Sequence, residues 1–188
     1  MSLSPIKQEI LENMLLNEKP MKAIEIASES KKEFPPTMMH LLGLTKMGYV
    51  SSPEKGLYVI TQRGKGVLGV PEVSKEKAAA ILSYAAHEKA FNFYVTVGKP
   101  LSLHAHNLRD FANKLDKADL ASAEFHLQRG DFEAWFKMLG DEELAKKTAL
   151  LKKKNYAGEE MRNQLRSMVE QRFLDLSKLA GQPVPTEQ

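Results

Sequence analysis

The sequence contains no cysteine. Disulfide staples, cysteine-ligated zinc and thiol nucleophiles are therefore excluded. No run approaches the roughly 18 apolar residues of a membrane-spanning helix, so no membrane contact is expected. The first residues, MSLSPIKQEI, lack the basic and apolar stretches of a signal peptide, and the expected location is the cytoplasm. An excess of one charge is also missing. There are 27 Lys/Arg against 24 Asp/Glu, a net charge of +3 over 188 residues. Such a balance does not by itself mark a nucleic-acid binder. With 43% hydrophobic residues, it does not mark a disordered chain either. Catalytic signatures are absent too. There is no Walker loop, no GxGxxG leading a strand into a helix and no GxSxG elbow. Glu142-Glu143 and Glu159-Glu160 read as neighbours on polar helix faces. No reaction and no cofactor are implied, and the reading is non-enzymatic.

What is present is an ordered series of short elements. Ser4-Pro5 reads as a cap followed by a first-turn proline. Ile6, Ile10 and Met14, with Leu11 and Leu15, then recur at helical spacing. A break at 17–20 precedes a second helix from Pro20, with Met21, Ile24 and Ala27 on one face. Pro35-Pro36-Thr37 opens a third, carrying Met38, Leu41, Leu42, Leu44 and Met47 and closed by Gly48. The period then changes. Tyr49-Val50 and Leu57-Tyr58-Val59-Ile60 predict two short strands joined by the polar turn 51–56.

Three short helices followed by a hairpin, with Leu41, Leu44, Met47-Gly48-Tyr49-Val50 and Tyr58-Val59-Ile60-Thr61-Gln62-Arg63-Gly64, resemble the archaeal and bacterial winged helix-turn-helix regulators. The resemblance covers about the first 70 residues. It implies that the third helix enters a DNA major groove and the hairpin tip meets the backbone. The outer face of that helix reads as Thr37, Met39, His40, Gly43 and Lys46. The hairpin adds Lys55, with Arg63 and Lys65 at its base. Lys22, Lys31 and Lys32 can add phosphate contacts. The DNA-binding set expected is Thr37, His40, Lys46, Lys55, Arg63 and Lys65. These few cations suit salt-sensitive binding. No arginine on the helix pairs with guanine. Residues 1–70 hold nine Lys/Arg and seven Asp/Glu. Met39 and Gly43 on the outer face can instead mark a protein-binding surface, so the alternative is an interaction module with a protein partner.

Val70-Pro71-Glu72-Val73-Ser74 marks a joint. Ser74 can cap a linker helix from Lys75 to about Lys89. Residues 90–97 read as a strand with Phe91, Phe93, Val95 and Val97 on one face. Helices are expected over 103–115, 118–127 (capped by Asp119), 131–139 (capped by Asp131), 141–153 and 156–179. The last carries a stripe of Met161, Leu165, Val169, Phe173 and Leu176, read as a face for pairing two copies of the chain. The most distinctive stretch is Glu124-Phe125-His126, Arg129-Gly130-Asp131-Phe132 and Trp135. With Phe93-Tyr94, Gly98-Lys99-Pro100 and Leu139-Gly140-Asp141, it resembles an uncharacterised prokaryotic domain family with an EFHxxRGDFxxW signature, over about residues 90–150. No activity comes with that resemblance. The residues admit two readings. In one, Arg129, His126 and Lys99 hold a small anionic effector. In the other, Gly130 turns the chain, Asp131 caps the next helix and Arg129 pairs with Glu124 or Asp131. His104 and His106 lack a third ligand nearby, so no metal is expected. Lys146-Lys147 and Lys152-Lys153-Lys154 read as solvated helix ends or as further DNA contacts.

The expected fold is mainly α with a small β component. It comprises a winged helix-turn-helix domain over 1–70, a linker helix over 71–89, a mostly helical domain with one short strand over 90–180, and a tail over 181–188.

Overall fold

A computed structural model of the chain describes residues 3–183. The fold is mainly helical with small antiparallel sheets. The chain divides into two compact units, Met1–Glu72 and Val73–Gln188.

In the first unit, α1 (Pro5–Asn17) buries Ile10, Leu11, Met14 and Leu15. The second helix does not start at Pro20. Met21–Lys22 form a strand, β1, and α2 spans Ala23–Glu29. This start turns Ile26 inward and leaves Ile24 55% exposed, the reverse of the expected face for Ile24. Helix α3 (Phe34–Lys46) starts one residue before its two prolines, which lack the N–H that a first turn leaves unpaired anyway. Its core contacts are Leu41 and Leu44. Strands β2 (Val50–Ser51) and β3 (Leu57–Ile60) complete an antiparallel sheet of order β1-β3-β2. Met21 pairs with Tyr58, and Val50 with Ile60. Gly48 ends α3 with φ +74°. The Thr61 hydroxyl then clasps the corner. It donates to the Gly48 carbonyl at 2.7 Å and accepts the Gly64 N–H at 3.0 Å. Thr61 thereby caps α4 (Gln62–Val67).

The second unit begins with α5 (Lys75–Leu82), capped by Ser74 as expected. It ends seven residues earlier than the expected linker helix, and Ala78, Ile81 and Leu82 belong to this unit's core. A single 3₁₀ turn covers His87–Lys89. Strand β4 (Phe91–Thr96) pairs with β5 (Lys99–Ala105) across a tight turn at Gly98. Register shifts along β4 break the simple alternation: Phe91 and Phe93 are buried, but Val97 is 76% exposed. Strand β5 replaces the expected start of a helix at Leu103. The alternation of Leu101, Leu103 and Ala105 is a strand period. Helix α6 (Leu108–Leu115) begins only where Asn107 accepts the Asp110 N–H at 2.8 Å.

Helices α7 (Leu120–Arg129), α8 (Asp131–Met138), α9 (Glu142–Lys153) and α10 (Gly158–Ala180) follow. Asp119 precedes α7 but makes no side-chain cap. Gly130, with φ +78°, turns the chain between α7 and α8. Gly130, not Asp131, is the cap of α8, and Asp131 is its first residue. The α10 stripe is not a free pairing face. Met161, Leu165, Val169 and Leu176 are each 1% exposed or less and pack into the core with Phe111, Phe132 and Phe136. Glu143 corrects another expectation. It lies inside the unit with Asp141, Lys147 and Arg172 rather than on a polar face. The expected tail lies outside the described residues from 184 onward.

Candidate functional site

Of the six residues expected to meet DNA, three are solvent-exposed: Lys46 in the last turn of α3, Lys55 at the hairpin tip and Arg63 in α4. Arg63 lays its guanidinium over the Tyr49 ring, 5.4 Å from the centroid. The other three differ. Thr37 is 1% exposed, and its hydroxyl donates to the Glu33 carbonyl at 2.8 Å. A hydroxyl folded back on its own helix is not available to a base edge. Lys65 forms an ion pair with Glu18, tying α4 to the end of α1. His40 is half-buried. Gly43 is not open either: a Cβ there would stand 3.5 Å from the Lys7 Nζ.

The solvent side of α3 is instead apolar. Met39 is 69% exposed, Leu42 50% and Phe34 43%. Beside them lies a groove of about 600 Å³, walled by Ile24, Phe34, Met38 and Tyr58, with Lys22 and Lys55 also lining it. Sequence periodicity put Leu42 in the core stripe and did not single out Ile24 and Phe34 as surface residues. All three depend on where each helix starts.

In the second unit, the signature residues gather at the α7–α8 corner. His126 is buried, and both ring nitrogens are used. Nε2 accepts the Tyr94 backbone N–H at 2.8 Å. A backbone N–H can only donate, so Nε2 carries no proton and Nδ1 does. Nδ1–H donates to Asp131 Oδ2 at 2.7 Å. The ring is therefore neutral and structural, bridging β4 to α8. Burial lowers its pKa below the ordinary histidine value, against the opposing pull of Asp131. Glu124 does not pair with Arg129. It accepts the Gly158 N–H at 2.9 Å and joins α7 to the start of α10. Arg129 donates from Nε to Asp131 Oδ2 at 3.1 Å and sits over the Phe125 ring at 5.0 Å. Lys99 is exposed at the start of β5 and does not line the cleft that Arg129 lines. The anionic-effector trio Lys99, His126 and Arg129 is thus reduced to Arg129.

The histidine has a measurable consequence. Its folded-state pKa lies below its unfolded value near 6.5. Its contribution to stability is full above that unfolded value and is lost as pH falls through the lowered folded value. The melting temperature of the second unit is expected to fall between about pH 7 and pH 5, and His126→Gln to flatten that slope. Calorimetry across this range checks it. An unchanged slope in the variant would assign the pH dependence to other groups.

Two further histidines, His104 and His106, have internal partners as well. His104 and His106 lie at the end of β5, not at a helix start. The Nδ1 of His104 meets Asn92 Oδ1, and that of His106 meets the Ala85 carbonyl at 3.0 Å. Among the described residues, no group of three His, Asp or Glu is arranged to hold a metal. Two members of the basic cluster are also engaged: Lys147 is buried against Glu143 at 3.1 Å, and Lys152 meets Glu133 at 3.5 Å, while Lys153 is exposed.

Against family models, curated proteins and solved structures, the chain gives no match. The functional reading rests on its own residues.

Proposed function

We propose that the first unit is a winged-helix module that binds double-stranded DNA through α3 and the β2–β3 hairpin. One observation carries this reading. The short strand β1, which periodicity missed, completes a sheet of order β1-β3-β2, and the hairpin lies along the same groove as α3. A helix flanked by a projecting hairpin suits a major groove and its neighbouring backbone. Lys22, Lys46, Lys55 and Arg63 are taken as the phosphate contacts; Lys31 is exposed as well, and Lys32 is paired with Glu9 at 2.9 Å. The apolar face of α3 has no bidentate pairing group, so the reading is of backbone-dominated binding with modest sequence preference.

Fluorescence anisotropy on mixed genomic duplexes tests it. With four phosphate contacts, the slope of log K against log salt is expected near about −3.6. Lys55→Ala and Arg63→Ala should each reduce the magnitude of that slope by about one. Absence of binding at low salt, or an unchanged slope in both variants, would reject the DNA reading. Lys65 is left out of the test because its substitution breaks the pair with Glu18.

A specific observation favours a second reading, docking on a protein. Met39, Leu42, Phe34 and Ile24 are each at least 43% exposed and belong to α2 and α3. Exposed apolar side chains on two neighbouring helices suit a protein contact. Met39→Lys separates the two readings. It adds a cation to α3 and should strengthen DNA binding, whereas it should abolish an apolar protein contact.

A further inference from the structure

The second unit carries a cleft of about 380 Å³ between β4 and the α7–α8 corner. That size falls within the range of small-molecule sites, roughly 300–1,000 Å³. Four of its eleven lining residues are Phe, Tyr or Trp: Phe91, Tyr94, Phe125 and Trp135. The only fixed charges lining it are Arg129 and Asp131.

Arg129 is held ready. Its guanidinium rests on Phe125 and is anchored through Nε to Asp131. Asp131 is anchored in turn by His126 Nδ1–H. The two terminal nitrogens of Arg129 have no protein acceptor among the described residues, and the side chain is 51% exposed. A guanidinium fixed by a supporting carboxylate loses little freedom when its outer edge takes a ligand oxygen.

We infer that this cleft binds a small aromatic monocarboxylate, its carboxylate paired end-on with the terminal nitrogens of Arg129 and its ring set among Phe91, Tyr94, Phe125 and Trp135. The charge count selects a monoanion. Asp131 balances the Arg129 charge before any ligand arrives, and no second cation lines the cleft. A dianionic phosphate would bring two negative charges towards one guanidinium that is already paired. The apolar walls reward a flat hydrocarbon body, which inorganic anions lack. His126 is not a catalytic base here. Its only lone-pair nitrogen is closed by the Tyr94 N–H. The cleft therefore acts as a binding site. The inference concerns the second unit alone and does not depend on the DNA reading.

Trp135 lines the cleft and is the only tryptophan of the chain, so its fluorescence reports occupancy directly. The full chain is titrated with benzoate and phenylacetate, with phenylacetamide as the neutral isostere and inorganic phosphate as the bare anion. A saturable change with at least one carboxylate is expected, with Kd about 1 mM or tighter. Phenylacetamide should bind at least about tenfold more weakly, because it cannot accept the charge-assisted pair. Arg129→Met should weaken the carboxylate at least about tenfold while leaving the circular dichroism melt in place. Arg129→Lys keeps the charge, loses the fork and should fall between the two.

No saturable signal with either carboxylate up to roughly 20 mM would overturn the inference. So would equal affinity for phenylacetamide, tighter binding of phosphate, or undiminished binding in Arg129→Met. If Arg129→Met fails to fold, full affinity in Arg129→Lys overturns the proposed end-on pairing. A reduced affinity there, with a native melt, supports it.

Discussion

Replacing Arg172 by methionine is expected to destabilise the second unit by about 3–5 kcal/mol, the range for breaking a buried ion pair from one side. Arg172 is 7% exposed, Asp141 0% and Glu143 4%. The guanidinium forks onto Asp141 with two bonds of 2.9 Å and reaches Glu143 at 3.0 Å. Glu143 also takes Lys147 at 3.1 Å. Burial alone would lower the pKa of Arg172, but the Asp141 and Glu143 carboxylates outweigh it and hold the value raised. For Lys147, burial wins over Glu143, and its pKa is lowered.

Methionine fills much of the same space, so the loss reports charge rather than a cavity. It leaves Asp141 buried without its main partner, though Asp141 still caps α9 through the Leu144 N–H at 3.1 Å. Urea unfolding followed by the second unit's own signal measures the loss. A matching drop in melting temperature of roughly 10 °C or more is expected. Arg172→Lys should lose less, because it keeps the charge and sacrifices the fork. A loss below about 1 kcal/mol in Arg172→Met would mean that the site accepts water or collapses without penalty.

Gly64→Ala is expected to destabilise the first unit by about 2 kcal/mol or more. In an open helix the same change stabilises by about 1 kcal/mol, because alanine is the better helix former. The sign is set by what the new methyl group meets. A Cβ at Gly64 would lie 2.2 Å from the Tyr49 carbonyl oxygen and 2.9 Å from Ile60 Cγ1. That carbonyl is not free to retreat, since it accepts the Thr61 N–H at 3.0 Å. Gly66 is the control. It lies in the same helix, and a Cβ there meets nothing within 4 Å. Gly66→Ala should therefore be neutral or stabilising. Thermal unfolding of both variants decides the matter. A Gly64→Ala protein as stable as Gly66→Ala would mean that α4 does not pack against Tyr49 as closely as described.

These two sites were unequally legible in the sequence. The Thr61-to-Gly64 spacing stood out as a motif, and the structure supplies its physical reason: a hydroxyl clasp over Gly48 and a contact too close for any side chain. The Arg172 network left no sequence signal. Its members are 31 residues apart between Asp141 and Arg172, and each alone reads as an ordinary charge on a helix surface. The α7–α8 corner fell between these cases. His126, Arg129, Gly130 and Asp131 were visible as a group, but which carboxylate took Arg129, and which nitrogen of His126 carries the proton, depended on Tyr94 and Gly158 from other elements.

By itself, the sequence determined the helical character of the chain, the glycine turns and the cap at Ser74. All of these are local. They follow from the 3.6 period, from missing side chains and N–H groups, and from side-chain oxygens placed to meet a nearby N–H. Only the tertiary structure decided that Met21–Lys22 is a strand, since two residues become one only by pairing with Leu57 and Tyr58. It also decided that Thr37 and Lys65 are occupied and that the α10 stripe is already covered. Burial and pairing depend on what lies across from a residue, and no property of that residue alone records it.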